Sequence, residues 1–310
     1  MRPYLMCPLA LAMFATPLQA QPVFRSGVDL VHLGVTVVAK DGQLVSGLRA
    51  EDFVIQEEGR EQRITYFSRG LHSDLETMPL HLGVLFDTSG SMDRDVRFAK
   101  TAAIKFLRGL NFAEDMTLVS FDTEVRVSRF GHANFPRLVE RLRGQETGGM
   151  TAFYDALGVY LDGAFTQDGR KVLLLYSDGG DTRSRMRRRD LLDLVRASDV
   201  TVYAIGFQTQ LRAADRMTER LRLEEIVEIT GGRCYFQTSV DELDDIYAQI
   251  RDELAARYSL GYLSTDPTTD GAWRSVTVKV AETRRELEGA RIRARKGYFA
   301  PYFEDAQRDR

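Results

Sequence analysis

The stretch from Leu82 to Ser91, LGVLF closed by DTSGS, restricts the possible folds of this chain more than any other. Four to eight apolar residues, broken by Asp and small hydroxyl residues and followed by a helical pattern, read as a buried strand. The strand ends in side-chain oxygens at the carboxyl edge of a sheet. In open α/β sheets that edge is where ligands bind.

The same alternation continues downstream. From Leu80 to about Tyr258, strand patterns at 82–86, 116–121, 172–176, 201–207 and near 234–236 alternate with helical ones at 92–107, 135–142, 152–165, 187–197, 223–230 and 240–256. This predicts a doubly wound, mostly parallel α/β sheet with helices on both faces. A further strand at 125–130 follows its predecessor after too few residues for a parallel crossover, so it is expected to pair antiparallel.

On either side the pattern is all-β. Val31, Leu33, Val35 and Val37 alternate with other side chains over 28–38, and shorter strand signals follow at 53–56 and 64–68, separated by a turn at 57–59. After the helical region, strands are expected at 258–263, 276–280 and 291–298. Neither flank closes a core alone, which predicts one discontinuous sandwich-like domain built from both. The expected organisation is a signal peptide over 1–20, an N-terminal β segment over 21–75, the α/β domain over 76–256, a C-terminal β segment over 257–303 pairing with 21–75, and a polar tail over 304–310.

The leader is read from Arg2, the apolar stretch Leu5 to Ala15 and the small residue Ala20; it is too short to span a bilayer as a stable helix. Cleavage after Ala20 predicts an exported chain, periplasmic or secreted, with Cys234 left without a disulfide partner and no membrane span in the mature chain. The net charge of −3, from 42 basic against 45 acidic residues, gives no basis for a nucleic-acid partner. The arginines at 183, 185, 187, 188 and 189 are expected to be a solvated helix entrance, set against the helix dipole. Trp273, Tyr258, Tyr262 and Tyr298 are expected in the core, as aromatic residues in strand patterns usually are.

Three segments should reach the same sheet edge: Asp87, Ser89 and Ser91; Thr151 after Gly148 and Gly149; and Asp178 before Gly179. Taken singly, Ser91 and Thr151 read as helix caps and Asp178 as a turn residue. Together, two carboxylates and three hydroxyls form a hard-oxygen set that suits Mg²⁺ or Mn²⁺. The four histidines are scattered without metal spacing. No P-loop, H-E-x-x-H or G-x-S-x-G arrangement is present.

The DTSGS loop, the GGMTAFYDAL stretch and the LLLYSDGGDT stretch resemble, in order and spacing, the von Willebrand factor type A (VWFA) domain and its metal-ion-dependent adhesion site (MIDAS). The resemblance implies Ser89 and Ser91 as direct ligands, Thr151 as a direct or water-bridged one, and Asp87 and Asp178 acting mainly through water. It also implies a protein partner whose Asp or Glu completes the coordination. The flanks, LVHLGVTVVAKDGQLVSGLRAEDFVIQEEG and RYSLGYLSTD to ARKGYF, are similar to the VWFA-related family of exported proteins first catalogued in Acidobacteria. The function expected is therefore a non-catalytic, metal-dependent protein-binding or adhesion module. The alternatives are an assembly protein with a vestigial site, or a Mg²⁺-dependent phosphatase-like hydrolase. The second carboxylate such hydrolases place two residues after the first is here Ser89.

Overall fold

The computed structural model describes residues 30–70, 78–110, 113–207, 211–237, 242–281 and 283–302. The expected leader and the expected polar tail lie outside them. The chain opens with β1 (Leu30–Val38), β2 (Phe53–Glu57), β3 (Arg60–Gln62) and β4 (Ile64–Arg69). The α/β part follows as β5 (Leu80–Asp87), α1 (Val96–Arg108), β6 (Asp115–Phe121), β7 (Val125–Gly131), α2 (Phe135–Arg143), α3 (Phe153–Ala164), β8 (Arg170–Ser177), α4 (Arg188–Ala197), β9 (Thr201–Phe207), α5 (Ala213–Thr230), β10 (Arg233–Gln237) and α6 (Glu242–Ala256). It returns to strands with β11 (Tyr258–Leu263), β12 (Trp273–Val280), β13 (Arg291–Arg293) and β14 (Gly297–Phe299).

The α/β sheet runs β10-β9-β8-β5-β6-β7, parallel throughout except for β7, which is antiparallel to β6 as its short connection requires. All eight residues of β5 are buried, because both faces of this central strand are covered. Leu82, Val84 and Phe86 face a core shared with α1, α2 and α6, while Leu85 faces α3, α4 and α5. From β5 the chain proceeds to β6 on one side and later to β8 on the other. The carboxyl end of β5 is thus the point where strand order reverses, and a crevice opens there.

The two β flanks interleave as the patterning predicts. One sheet has the order β13-β1-β11-β4 and the other β14-β12-β2-β3, each combining strands from both ends of the chain, all antiparallel. Val31, Leu33, Val35 and Val37 point into the shared core, as do Tyr258 and Tyr262. Cys234, on β10, is partly buried, and burial pushes its thiol up to about 12, which leaves it unreactive.

Four local expectations need correction. The strand expected over 291–298 is two strands in opposite sheets. The chain crosses the sandwich at residues 294–296, β13 pairing with β1 and β14 with β12. The turn at 57–59 is tighter than expected: Glu58 (φ 47°) and Gly59 (φ 77°) both adopt left-handed conformations, and the chain returns at once as β3. That is the two-residue hairpin geometry matching the twist of the flanking strands. Helix α5 begins at Ala213, ten residues before the expected start; its first turn carries the charged pair Arg212 with Asp215 at 2.8 Å and no apolar stripe. Helix α1 begins at Val96, since residues 90–92 form a 3₁₀ turn instead.

The sandwich and the α/β core meet across a polar seam. Glu253 of α6, only 1% exposed, pairs with Arg293 at 2.5 Å and accepts a hydrogen bond from Tyr203 Oη at 2.8 Å. Arg257 donates to Gly34 O at 3.0 Å and Thr201 Oγ1 at 2.9 Å. Glu253→Gln removes the counter-charge of Arg293, which is itself partly exposed, and is expected to cost about 2 kcal/mol. Equilibrium urea unfolding measures this, and a loss below about 1 kcal/mol would mean the seam does not hold the two parts together.

His32, on β1 at the same seam, has an Nε2 closed off from solvent and without a partner among the described residues. Burial, then the charge of Arg295, holds its pKa down at about 4, against 6.5 ordinarily. The unfolded chain therefore takes up the proton first. Stability from this group is full above pH 6.5, declines as the pH falls toward 4 and levels off below it, with a slope approaching about 1.4 kcal/mol per pH unit. Denaturant melts from neutral pH down to about 4 should show wild type losing stability faster than His32→Asn. Parallel curves would refute a buried neutral imidazole.

Candidate metal centre

Asp87 is the last residue of β5 and is completely buried. A carboxylate is tolerated there because its oxygens are heavily hydrogen-bonded. Oδ1 accepts from Ser89 N at 2.9 Å and Ser89 Oγ at 2.6 Å, and Oδ2 accepts from Ser177 Oγ at 2.6 Å. By donating its proton to Asp87, Ser89 turns its lone pairs outward. Ser91 Oγ lies 3.1 Å from Ser89 Oγ on the exposed rim of the 3₁₀ turn.

The second segment is stitched directly to this loop. Gly148 N donates to Thr88 O at 2.9 Å, and Gly90 N to Gly149 O at 3.3 Å. Gly149 sits at φ 73°, and a Cβ there would come within 2.4 Å of Thr123 Oγ1, so both the turn and the close approach require glycine. Thr151 follows, its N–H donating to Thr182 Oγ1 at 3.0 Å and its carbonyl accepting from Thr182 N and Arg183 N. Its hydroxyl has no hydrogen-bond partner among the described residues. It does not cap α3, whose N-cap is Ala152.

Asp178 follows β8 and is 3% exposed. Its Oδ1 accepts from Gly180 N at 2.8 Å, the turn geometry the sequence suggests, and Oδ2 is left without a hydrogen-bond donor among the described residues. The structure thus brings all three segments to the carboxyl edge at the switch point. Ser91 and Thr151 do not serve as caps, whereas Asp178 makes its turn and keeps one oxygen free.

The electrostatics are unbalanced. Neither Asp87 nor Asp178 forms an ion pair with any described residue. Burial first, then the charge of Asp178, pushes the Asp87 carboxyl up to about 7 against the opposing hydrogen bonds from Ser177 and Ser89. Among the described residues no three His, Cys, Asp or Glu side chains cluster to hold a metal ion, so the donor set at this edge is hydroxyl-rich. Two buried carboxylates without a counter-cation, beside a free Thr hydroxyl and outward-facing Ser lone pairs, fit a hard divalent cation.

Ser177, Thr88, Thr123 and Thr182 were not singled out by sequence reasoning, although each supports the site. Ser177 is the most informative omission: it adjoins Asp178 at the end of a strand whose middle is aliphatic, and its hydroxyl also accepts from Gly179 N at 3.0 Å. The basic run beyond Asp178 is exposed at the entrance to α4, as expected. Arg188 pairs with Glu225, while the side chains of Arg183, Arg185, Arg187 and Arg189 form no ion pair with described residues.

A family model described as the von Willebrand factor type A domain matches residues 81–249. A search of curated proteins gives no match. Among solved structures, the PilB minor pilin from Streptococcus sanguinis aligns at TM-score 0.45 and 15% identity, covering 59% of this chain and 64% of that one. The pilus adhesin SpaC from Lactobacillus rhamnosus GG, in an open conformation, aligns at TM-score 0.49 and 10% identity, over 81% of this chain and 48% of the adhesin. A von Willebrand factor type A protein from Catenulispora acidiphila aligns at 0.46 and 13%, over 89% and 74%. The chain spans less than two thirds of the minor pilin's length.

Relief of the repulsion between Asp87 and Asp178 is directly testable. In chelator-treated protein above neutral pH, Asp87→Asn is expected to raise stability by about 1 kcal/mol, roughly 3 °C in Tm. The same variant should lose any stabilisation by added Mg²⁺ or Mn²⁺. A variant that melts lower without ions and still responds to them would show that the carboxylate is structural only.

Proposed function

The chain belongs to the von Willebrand factor type A family, and from that premise we propose that it is an exported, non-catalytic protein-binding module that presents a divalent cation to an acidic residue of its partner. The observation carrying this reading is the pair of buried, uncompensated carboxylates beside unpartnered hydroxyl and carboxylate oxygens at one sheet edge. Ser89, Ser91 and Thr151 would hold Mg²⁺ or Mn²⁺ directly, with Asp87 and Asp178 behind them. Neutral hydroxyls next to the ion leave it short of negative charge, and an ion so held supplies a Lewis-acidic position that favours an incoming carboxylate.

Asp87 orients Ser89 through a 2.6 Å hydrogen bond, and Ser177 fixes Asp87 from the other side. Gly90 and Gly149 lock the first two loops together by their backbones. The arginine run supports an acidic partner. Arg183 is tied to Thr151 O through its N–H at 3.0 Å, and four exposed guanidinium groups lie along this loop and the first turn of α4 without ion pairs to described residues. They would steer an acidic surface toward the site. Aspartyl-phosphate chemistry is disfavoured, because Asp87 is closed to solvent and held through both oxygens by Ser89 and Ser177, which leaves a phosphorus no open line of approach to it. No helix among the described residues is long and apolar enough to cross a membrane; export rests on the leader.

Isothermal titration of Mg²⁺ and Mn²⁺ into chelator-stripped protein tests the ion site. Saturable binding is expected in wild type and its loss in the Ser89→Ala, Ser91→Ala double variant. An Asp-containing acidic peptide is expected to bind only with the ion present. Arg183→Glu with Arg185→Glu should weaken the peptide by roughly tenfold while leaving ion affinity largely intact. Equal peptide affinity with and without the ion would sink the proposal.

A further inference from the structure

Away from the sheet edge, the seam between the sandwich and the α/β core contains a cleft of about 590 Å³, within the usual size range for small-molecule sites. Its wall carries three basic side chains. Lys171 is held by both oxygens of Asp199 at 2.8 Å. Arg274 is held by Asp266 at 3.4 Å and Asp270 at 3.0 Å. Arg295 differs from both.

Arg295 makes no hydrogen bond or ion pair with any described residue, and its Nε is closed off from solvent without an acceptor. Its guanidinium lies 5.9 Å from the Tyr298 ring centre, at the outer limit of a cation–π contact. Asp199 is near enough to act on Arg295 electrostatically, yet is committed to Lys171. On β1, bordering the same cleft, His32 has a second buried nitrogen without a partner, Nε2. Two buried polar nitrogens without partners among the described residues, in one cleft, are a debt that folded proteins seldom carry without a ligand.

The surroundings define that ligand. A planar guanidinium pairs best with a carboxylate or phosphate. With Asp199 and Asp266 also on the wall, a second negative charge would be repelled, which favours a monoanion. Phe165, Pro267, Phe299 and Pro301 supply apolar surface for the rest of the molecule. We propose that this cleft binds a monocarboxylate with an apolar body, its carboxylate paired with Arg295 and accepting a hydrogen bond from His32 in its Nε2–H tautomer. The site is independent of the metal edge.

The test uses benzoate as probe, with inorganic phosphate alongside, titrated into the whole protein in excess EDTA so that no cation at the sheet edge competes for carboxylate. Benzoate should bind saturably in wild type and equally in the Ser89→Ala, Ser91→Ala variant. It should bind at least about tenfold more weakly in Arg295→Gln, the scale of a lost charged hydrogen bond. Arg295→Met separates binding from folding. Removal of an unpaired buried charge should raise the ligand-free Tm while abolishing the shift caused by benzoate. No saturable benzoate binding, undiminished binding in Arg295→Gln, tighter binding of phosphate than of benzoate, or a lower ligand-free Tm in Arg295→Met would each overturn the proposal.

Discussion

The carboxylate of Asp87, buried at the end of the central strand, is the constraint around which the α/β domain is arranged. A group that prefers water has been placed where both faces of the sheet are covered, and the chain answers with three hydrogen bonds from Ser89 and Ser177. Those bonds come from the loop after β5 and from the end of β8, which are neighbours because the topology reverses at β5. The same reversal sends the chain in opposite directions after β5 and after β8, and the Gly148 to Thr151 segment reaches in beside the loop that follows β5. Even so, the hydrogen bonds do not balance the cost of burial and of Asp178 nearby. A site left electrostatically short in this way is destabilised on its own and stabilised by whatever cation completes it.

The sandwich follows from a different constraint. Each flank has strands with one apolar face and too few neighbours to cover it. Pairing β1 with β11 and β2 with β12 joins segments more than 200 residues apart and gives both flanks a core. The α/β domain lies between them in the chain, so α6 runs directly into β11 and Glu253 ends at the seam. There its charge is matched by Arg293 of the sandwich. The two parts are connected by chain continuity and by buried polar pairs, which reward a single relative position more strongly than apolar contact would.

Much of this was legible in the sequence, for identifiable reasons. Continuous apolar runs marked β5, β8 and β9 as doubly covered strands, and period-two alternation marked β1. Asp87, Ser89, Ser91, Thr151 and Asp178 stood out because small oxygen-bearing residues clustered just past strand ends. What escaped was set by tertiary context. The break between β13 and β14 has no proline or glycine until Gly297, so a single strand was the natural reading of a segment that changes sheets. The first turns of α5 lack an apolar stripe, leaving periodicity nothing to detect. Ser177 reads as a strand residue, and only the register of β8 against β5 reveals that its hydroxyl meets Asp87. Arg295 and His32 are the extreme case: 263 positions apart, they meet only through the sandwich.

Strand β8 also bears on how the two proposed sites relate. Lys171, near its start, borders the seam cleft, and Ser177, at its end, hydrogen-bonds Asp87. Six steps of extended chain put Lys171 and Ser177 roughly 20 Å apart. Between them Val172 to Tyr176 are buried on both faces and paired to β5 and β9. Densely packed strands of this kind have no second arrangement to adopt, and coupling between distant sites needs an element with two states. Screening by solvent and by the local Lys171–Asp199 pair removes the remaining long-range route. Cation binding at the sheet edge and carboxylate binding at the seam should therefore contribute additively to stability, each independent of the other's occupancy.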